Sequence, residues 1–210
     1  MKTKAVLIAV LVMMLSSYPI AHANLLTNSG FENGDFTGWS QWNGTNATIN
    51  TWGNSGSYSA AGWWATSGWQ DIAISDPGST YKIGGYLFDD VAGNESLRNG
   101  SSASLRVEFK RSDDSIVGTW TTGSLTGNEL TDNVWNDKTA IVTPSNYGSD
   151  IVKATMVWEV NNTGSGDGRG IFDDLIVEST PIPEPASMLL LGSGLLGVGL
   201  FNKGKVKRKG

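Results

Sequence analysis

The side chains that could do chemistry in this chain are carboxylates and tryptophans. The 210-residue sequence holds 20 acidic residues and 9 tryptophans, but no cysteine and a single histidine, His22. Without cysteine there are no disulfides, thiolate nucleophiles or cysteine-bound metals. His22 lies in a segment that is predicted below to be removed. Imidazole acid–base catalysis and histidine metal sites are therefore excluded from the mature protein.

Five tryptophans are crowded into a glycine-, serine- and asparagine-rich third of the central region: Trp42, Trp52, Trp63, Trp64 and Trp69. Exposed indoles stack on the apolar faces of sugar rings, while nearby Asn, Gln and Asp side chains bind the hydroxyls. A strand through the consecutive Trp63 and Trp64 would turn one inward and the other outward. These five residues are the candidate sugar-binding residues. The alternative is that most of them fill the core.

Paired carboxylates offer a second chemistry, because glycoside hydrolysis needs only two of them at roughly 5–9 Å. Glu108 and Glu159 lie within predicted strands, where a hydrolase would place such a pair. Alternation, however, puts Glu108 on the solvent face beside Arg106, and no catalytic strand motif is present. We therefore predict that the protein is not an enzyme, with a small jelly-roll polysaccharide hydrolase as an alternative.

The N-terminus is typical of a secretory signal peptide. Two lysines precede an apolar run over residues 5–15, and small residues follow at Ala21 and Ala23. Cleavage before Asn24 makes residues 1–23 the signal peptide. The alternative, an uncleaved membrane anchor, is disfavoured because the run is too short for a hydrocarbon core of about 30 Å.

The C-terminal region, residues 181–210, has three parts in order. Pro183, Glu184 and Pro185 come first, the apolar stretch 186–201 follows, and a basic tail occupies 203–210. A helix over 186–201 would nearly cross a membrane, and flanking lysines can bridge the remaining gap. The basic tail predicts a cytoplasmic end and places the rest of the chain outside.

This tripartite tail resembles the PEP-CTERM sorting signal. In that family the signal is recognised by exosortase, a membrane enzyme of Gram-negative bacteria that make exopolysaccharide. The resemblance implies cleavage near Pro183-Glu184-Pro185 after a transient membrane-anchored stage, with release or transfer to the cell envelope or extracellular matrix. A plain tail anchor is the alternative.

Between these two ends, the domain predicted over residues 24–180 is acidic. Residues 24–182 hold 8 basic and 19 acidic residues, a formal net charge of −11. A domain of this charge without a basic stripe is a poor partner for nucleic acid or anionic lipid. Cations and neutral polymers are compatible partners.

Alternating apolar and polar residues bounded by Gly, Asn, Asp and Ser predict strands in this domain. The predicted strands are 81–88, 104–109, 116–120, 138–142, 151–160 and 171–177. No sustained helical period is present, so we expect an all-β, antiparallel jelly-roll sandwich. Trp120 and Trp158 lie within strands and are predicted to be core residues, whereas Trp135 could be either.

The two ends of the domain resemble the opening and closing strands of the galactose-binding-like β-sandwich found in many carbohydrate-binding modules. The opening similarity covers Asn24 to Glu32 and Gly38-Trp39, and the closing one covers Ile171 to Val177. Shorter motifs between them follow in the family's order. The resemblance implies a core position for Trp39.

Members of that family often hold a structural calcium ion between the adjacent end strands. Glu32, Asp173 and Asp174 would supply oxygen ligands of the kind Ca²⁺ prefers. Alternation with Ile171, Leu175 and Val177 turns Asp173 inward, which favours Asp173 over Asp174 as a ligand. A solvated acidic turn is the alternative.

These observations predict an exported, exosortase-sorted protein of the cell surface or matrix. Its non-catalytic sandwich binds polysaccharide or exopolysaccharide, with Ca²⁺ as a structural cofactor. The alternative from another class is a structural or adhesive matrix protein that binds no sugar.

Overall fold

The computed structural model describes residues 23–162 and 168–180. Most of the predicted signal peptide and the whole predicted sorting region, including the helix 186–201, lie outside the described residues. The described part contains no helix long and apolar enough to cross a membrane. Its helical segments are 3₁₀ turns at Gly44–Asn46, Leu97–Asn99 and Pro144–Asn146.

Eleven strands make up the described fold. They are β1 (Ser40–Trp42), β2 (Ala47–Asn50), β3 (Ser59–Trp63), β4 (Thr66–Ala73), β5 (Tyr81–Asp89), β6 (Ser101–Lys110), β7 (Ile116–Thr121), β8 (Trp135–Asp137), β9 (Ala140–Val142), β10 (Lys153–Asn162) and β11 (Arg169–Ser179). The all-β prediction is thereby confirmed.

The strands form two sheets. One has five strands in the order β1-β4-β10-β6-β7, and the other has six, in the order β2-β3-β11-β5-β8 with β9 also paired to β5. All pairs of named strands are antiparallel. The first segment of the domain runs beside β11. Two hydrogen bonds join them: the Leu25 N–H donates to the Val177 carbonyl, and the Leu175 N–H donates to the Ser29 carbonyl. The predicted antiparallel sandwich is confirmed.

The core lies between the sheets and is built by strand alternation. In β6, Leu105, Val107 and Phe109 point inward and are fully buried, while the residues between them face solvent. Trp158 on β10 is also fully buried, and it occupies the space where a side chain at Gly68 would stand. Packing of this kind is the main source of stability for a domain without disulfides.

The predictions for the tryptophans assigned to the core are confirmed. Trp158 is fully buried and Trp39 nearly so, and Trp120 packs against the core from β7. The six predicted strands are present with shifted ends; the segment 138–142 forms only the short strand β9, and β8 precedes it. The first third of the domain has little alternation in its sequence, yet it forms the four strands β1 to β4.

Candidate functional site

The outward surface of the five-stranded sheet, called here the five-strand face, presents several rows of side chains. The strand register places Ser40, Trp69, Val157, Arg106 and Thr121 in one row across the sheet. The next row holds Trp42, Ser67, Glu159 and Ser104, and the row on the other side holds Asp71, Thr155, Glu108 and Thr119. Residues opposite one another in antiparallel strands share a face, so these side chains form one surface.

Two tryptophans stand at one side of the five-strand face. Trp42 lies on the edge strand β1 and is 58% exposed, and Trp69 on β4 is half-buried. Trp42 is opposite Ser67, two residues before Trp69, which makes the two indoles diagonal neighbours with Cα atoms about 7–8 Å apart. An aromatic platform therefore adjoins the polar rows.

Charged groups occupy the middle of the same face as one network. The Arg106 guanidinium donates from Nε to Oε1 of Glu108 at 2.9 Å and from Nη1 to Glu159. Lys110 Nζ lies 3.2 Å from Oε2 of Glu108. Burial opposes the charge of Arg106, but its hydrogen bond to Glu108 and the negative charge of Glu159 outweigh that effect and raise the pKa of Arg106. The guanidinium is held ionised between two carboxylates.

An open cavity of about 320 Å³ lies at one end of the five-strand face, lined by Asp71, Ile72, Ala73, Ser112, Val152 and Lys153. The Thr155 hydroxyl donates to Asp71, and Lys153 pairs with Asp114 of the β6–β7 hairpin. The cavity opens beside the polar rows and extends the face beyond the sheet.

The outward surface of the six-stranded sheet, the six-strand face, has a different character. Its register aligns Thr48, Ala61, Ile171, Phe88 and Trp135 in one row across five strands. Trp52, on the loop that follows β2, packs edge-on against Phe88 at 4.9 Å and against Trp135 at 5.8 Å between ring centroids. Ile171 and Ala61 are fully buried although they face outward from the sheet. The three rings thus form a packed aromatic cluster, in which Trp52 remains 38% exposed.

Trp63 lies at the end of the six-strand face. Its ring is covered by the Arg169 guanidinium, whose carbon is 5.1 Å from the ring centroid. Arg169 also pairs with Asp90 and, at 2.8 Å, with Glu95. The neighbouring Trp64 is 49% exposed and has a positive φ of 51°, at the two-residue turn between β3 and β4.

The structure therefore separates the five candidate tryptophans. Trp42 and Trp69 share the five-strand face, Trp52 and Trp63 lie on the six-strand face, and Trp64 lies at a hairpin turn. Trp135, which could not be assigned from the sequence, joins Trp52.

Three acidic residues fasten the loop that carries Trp52. Asp173 is fully buried, and its Oδ2 accepts the Asn54 N–H at 2.6 Å and that of Ser55 at 3.3 Å. Glu32 accepts the N–H groups of Ser57 and Tyr58. The predicted burial of Asp173 is present, but its predicted inward orientation is wrong: Asp173 shares the outward side of β11 with Ile171, and the loop covers it. The bulge that follows Asp173 turns Leu175 and Val177 into the core instead. Burial raises the pKa of Asp173 to about 7, against the opposing hydrogen bonds from the loop.

Asp174 completes this acidic group from a β-bulge. Its φ is 46°, and the register of β11 shifts between Asp173 and Ile176. Asp174 accepts hydrogen bonds from the side chains of Asn54 at 2.8 Å and Ser55 at 2.7 Å. A Cβ placed on Gly30 would be 3.4 Å from Oδ1 of both Asp173 and Asp174, so these two oxygens converge.

The donor set is all oxygen, which fits a hard cation such as Ca²⁺. As the side chains stand in the described part of the chain, no three acidic or histidine groups are close enough together to hold one ion. Glu32 is turned toward the loop N–H groups instead.

Sequence reasoning missed Arg106 as the link between the two glutamates and Thr155 as the partner of Asp71. The basic neighbour predicted for Glu108 is present, but Glu159 comes from a strand about 50 positions away in the chain. The alternation of apolar residues along one strand does not predict which distant strand will lie beside it.

Residues 181–203 match the model of the PEP-CTERM protein-sorting motif. No curated protein matches the chain. Among solved structures, the enzymatically active domain of bacteriophage CBA120 tailspike protein 4 is similar at 14% identity and a TM-score of 0.57. The match covers 75% of this chain but only 21% of the tailspike chain.

Two similar structures are matched over nearly their whole length. The carbohydrate-binding module TmCBM61, solved with β-1,4-galactotriose, has 17% identity and a TM-score of 0.50, over 75% of this chain and 99% of that one. The Stig cyclase Fisc from Fischerella sp. TAU has 9% identity and a TM-score of 0.53, over 77% and 99%. At these identities the likeness shows the shared β-sandwich fold.

Proposed function

We propose that this protein is a cell-surface or matrix protein whose β-sandwich binds polysaccharide on the five-strand face without cleaving it. The observation that carries the proposal is the exposed Trp42, set beside Trp69 and rows of polar side chains. Sugar rings present apolar C–H faces and hydroxyl edges. A flat aromatic platform with adjacent hydrogen-bonding groups complements both.

The arrangement of polar groups on the five-strand face supports this ligand. Glu108 and Glu159 keep acceptor lone pairs beyond those that Arg106 uses, so sugar hydroxyls can donate to them. The serine and threonine hydroxyls of the same rows both donate and accept. These groups are held by the sheet and by each other, which limits the entropy lost on binding.

The aromatic residues of the six-strand face are better suited to packing than to binding sugar. The rings of Trp52, Phe88 and Trp135 pack against one another, and Ile171 in the same row of the sheet is fully buried. Trp63 is already occupied by Arg169. Trp52 is 38% exposed and Trp42 58%, so the six-strand face leaves less aromatic surface for a sugar than the five-strand face does.

The ion pairs of Arg106 support a non-catalytic role. Glycoside hydrolysis requires one carboxyl group that carries a proton to the leaving oxygen and a second that is ionised. Here one guanidinium contacts both Glu108 and Glu159, so neither carboxyl group stands apart from the ion-pair network as a separate proton donor would. Incubation with a polysaccharide should leave its viscosity unchanged.

The binding proposal is tested by affinity electrophoresis in gels that contain polysaccharide. Residues 24–180 should be retarded by at least one polymer, and Trp42→Ala together with Trp69→Ala should abolish the retardation. Trp64→Ala is the matched control, since it removes an exposed indole at a hairpin turn. A mature protein that binds no polymer would favour the structural or adhesive function instead.

The sorting part of the proposal rests on the motif at residues 181–203. Exosortase would recognise Pro183-Glu184-Pro185 while the apolar stretch 186–201 anchors the protein and the basic tail 203–210 stays in the cytoplasm. Cleavage would then transfer the domain to the envelope or matrix. Mass spectrometry of the mature C-terminus tests this, because a product that keeps Lys203 to Lys209 contradicts processing.

We also propose Ca²⁺ as a structural cofactor held by Asp173 and Asp174, with Glu32 as a further ligand. The convergence of Oδ1 of Asp173 and of Asp174 beside Gly30 supports this site. A bound ion would screen the two neighbouring carboxylates and stabilise the fold, by about 2.7 kcal/mol at a hundredfold excess over Kd. A thermal midpoint that neither EDTA nor added calcium moves would contradict it.

A further inference from the structure

We propose that the five-strand face selects uncharged polysaccharides and rejects polymers that carry carboxylate groups. This inference rests on the proposed function and names the ligand class of the same face. It follows from how the charges of the face are paired.

Each basic side chain on this face already has an acidic partner. Arg106 contacts Glu108 and Glu159, Lys110 contacts Glu108, and Lys153 contacts Asp114. Within the described residues, the five-strand face thus presents no cation that is free to bind an anionic ligand. A polymer carboxylate would have to displace a protein carboxylate from Arg106.

That displacement is unfavourable because the network is partly buried. The side chains of Arg106, Glu108 and Glu159 are 31%, 16% and 27% exposed. A glutamate that lost its guanidinium here would be left as an uncompensated, poorly solvated charge. The net charge of −11 between residues 24 and 182 adds a general repulsion of polyanions at low salt.

A neutral glycan meets none of these costs. Its hydroxyls donate to the free lone pairs of the two glutamates and accept from nearby hydroxyls such as those of Ser67 and Thr119, while every ion pair stays intact. The paired charges then act as oriented hydrogen-bonding groups with no net charge. Specificity comes from the cost imposed on the wrong ligand as much as from the contacts made with the right one.

The test removes the acidic partners of Arg106 and Lys110, so that these cations become available to a ligand. Glu108→Gln with Glu159→Gln keeps a side-chain oxygen near Arg106 but removes two negative charges from the network. The parent and this variant of residues 24–180 are compared by affinity electrophoresis against two sets of polymers. The neutral set is β-1,4-galactan, dextran and hydroxyethylcellulose, and the acidic set is polygalacturonate and alginate.

We expect the parent to bind a neutral polymer at least tenfold more tightly than either acidic one. The double variant should gain at least tenfold in affinity for the acidic polymers, and about 0.5 M salt should remove that gain. The control is Asp35→Asn with Glu129→Gln, which makes the same change in net charge at exposed loop positions. It should gain no comparable affinity.

Two results would overturn the inference: preferential binding of the parent to an acidic polymer, or no gain in acidic binding by the folded double variant. If the parent binds no polymer and the variant still gains acidic binding, the proposed function fails and with it the selection of neutral polymers, while the rejection of carboxylates by the paired charges stands. Thermal melting of each variant confirms that it is folded.

Discussion

The two outward faces of the sandwich use tryptophan in opposite ways. On the six-strand face, Trp52 contacts Phe88 and Trp135, and Ile171 in the same row is fully buried. On the five-strand face, Trp42 is 58% exposed and stands beside polar rows whose charges are paired. A tryptophan that packs on other rings stabilises a loop, whereas one beside oriented polar groups is free to contact a ligand.

Acidic residues show the same contrast. Asp173 under the loop is fully buried and its partners are backbone N–H groups. Glu108 and Glu159 are partly exposed and share the Arg106 guanidinium, and Glu108 also contacts Lys110. The first arrangement fixes a loop, while the second leaves lone pairs that face solvent.

The largest expected effect is on ligand binding by the five-strand face. Trp42→Ala with Trp69→Ala should cost about 4 kcal/mol, because each removes an aromatic anchor of about 2 kcal/mol. Binding would then fall below detection in a calorimetric titration with the best polymer. Trp52→Ala is the control and should change the affinity less than about twofold. The reverse pattern would move the site to the six-strand face.

The next effect is on the loop of the six-strand face. Asp173→Ala should lower the free energy of unfolding by about 2–3 kcal/mol in EDTA, because two loop N–H groups lose a buried acceptor. Asp174→Ala should cost only about 1 kcal/mol, since its partners are exposed side chains. Urea unfolding measures both variants. Equal losses, or a loss of sugar binding with Asp173→Ala, would contradict separate roles for the two faces.

Single tryptophan variants should separate packing from binding. Trp52→Ala should lower stability by about 1.5 kcal/mol, because it removes edge-on contacts with two rings. Trp42→Ala should stay within about 0.5 kcal/mol of the parent, as expected for an exposed side chain. The measurement is the urea midpoint at a constant slope. A larger loss for Trp42 would make it a packing residue.

The smallest effect concerns Trp64 between the two faces. Its backbone has a positive φ of 51°, which asparagine adopts more readily than a bulky residue. Trp64→Asn should therefore raise stability by about 0.5 kcal/mol in thermal melts and leave polysaccharide affinity unchanged. Weaker binding by this variant would add the turn to the ligand site.

Much of the fold could be predicted because strand alternation is local. The inward Leu105, Val107 and Phe109 follow from a period of two residues. The same period misplaces Asp173, because the bulge in β11 puts it on the opposite side from Leu175 and Val177. Strands β1 to β4 were missed because their segment is short, glycine-rich and weakly alternating. There, pairing with β10 and β11 supplies the order that local preference lacks.

The candidate site was less predictable. Trp42, Trp52, Trp63, Trp64 and Trp69 are close in sequence, and nothing in that sequence divides them between two faces. The tertiary structure does so because β1 and β4 join one sheet while β2 and β3 join the other. Neighbours in the chain thus end up on opposite sides of the core.

Composition, strand period and terminal motifs were enough to define an all-β domain without cysteine, strongly acidic and followed by a sorting motif. These properties depend on residue types and short spacings, which can be read along the chain. The pairing of Arg106 with both glutamates, and the placing of Trp42 beside them, depend on the register of strands that are distant in sequence. Only the packed sheets determine that register, because a shift of one residue would turn every apolar side chain of a strand away from the core.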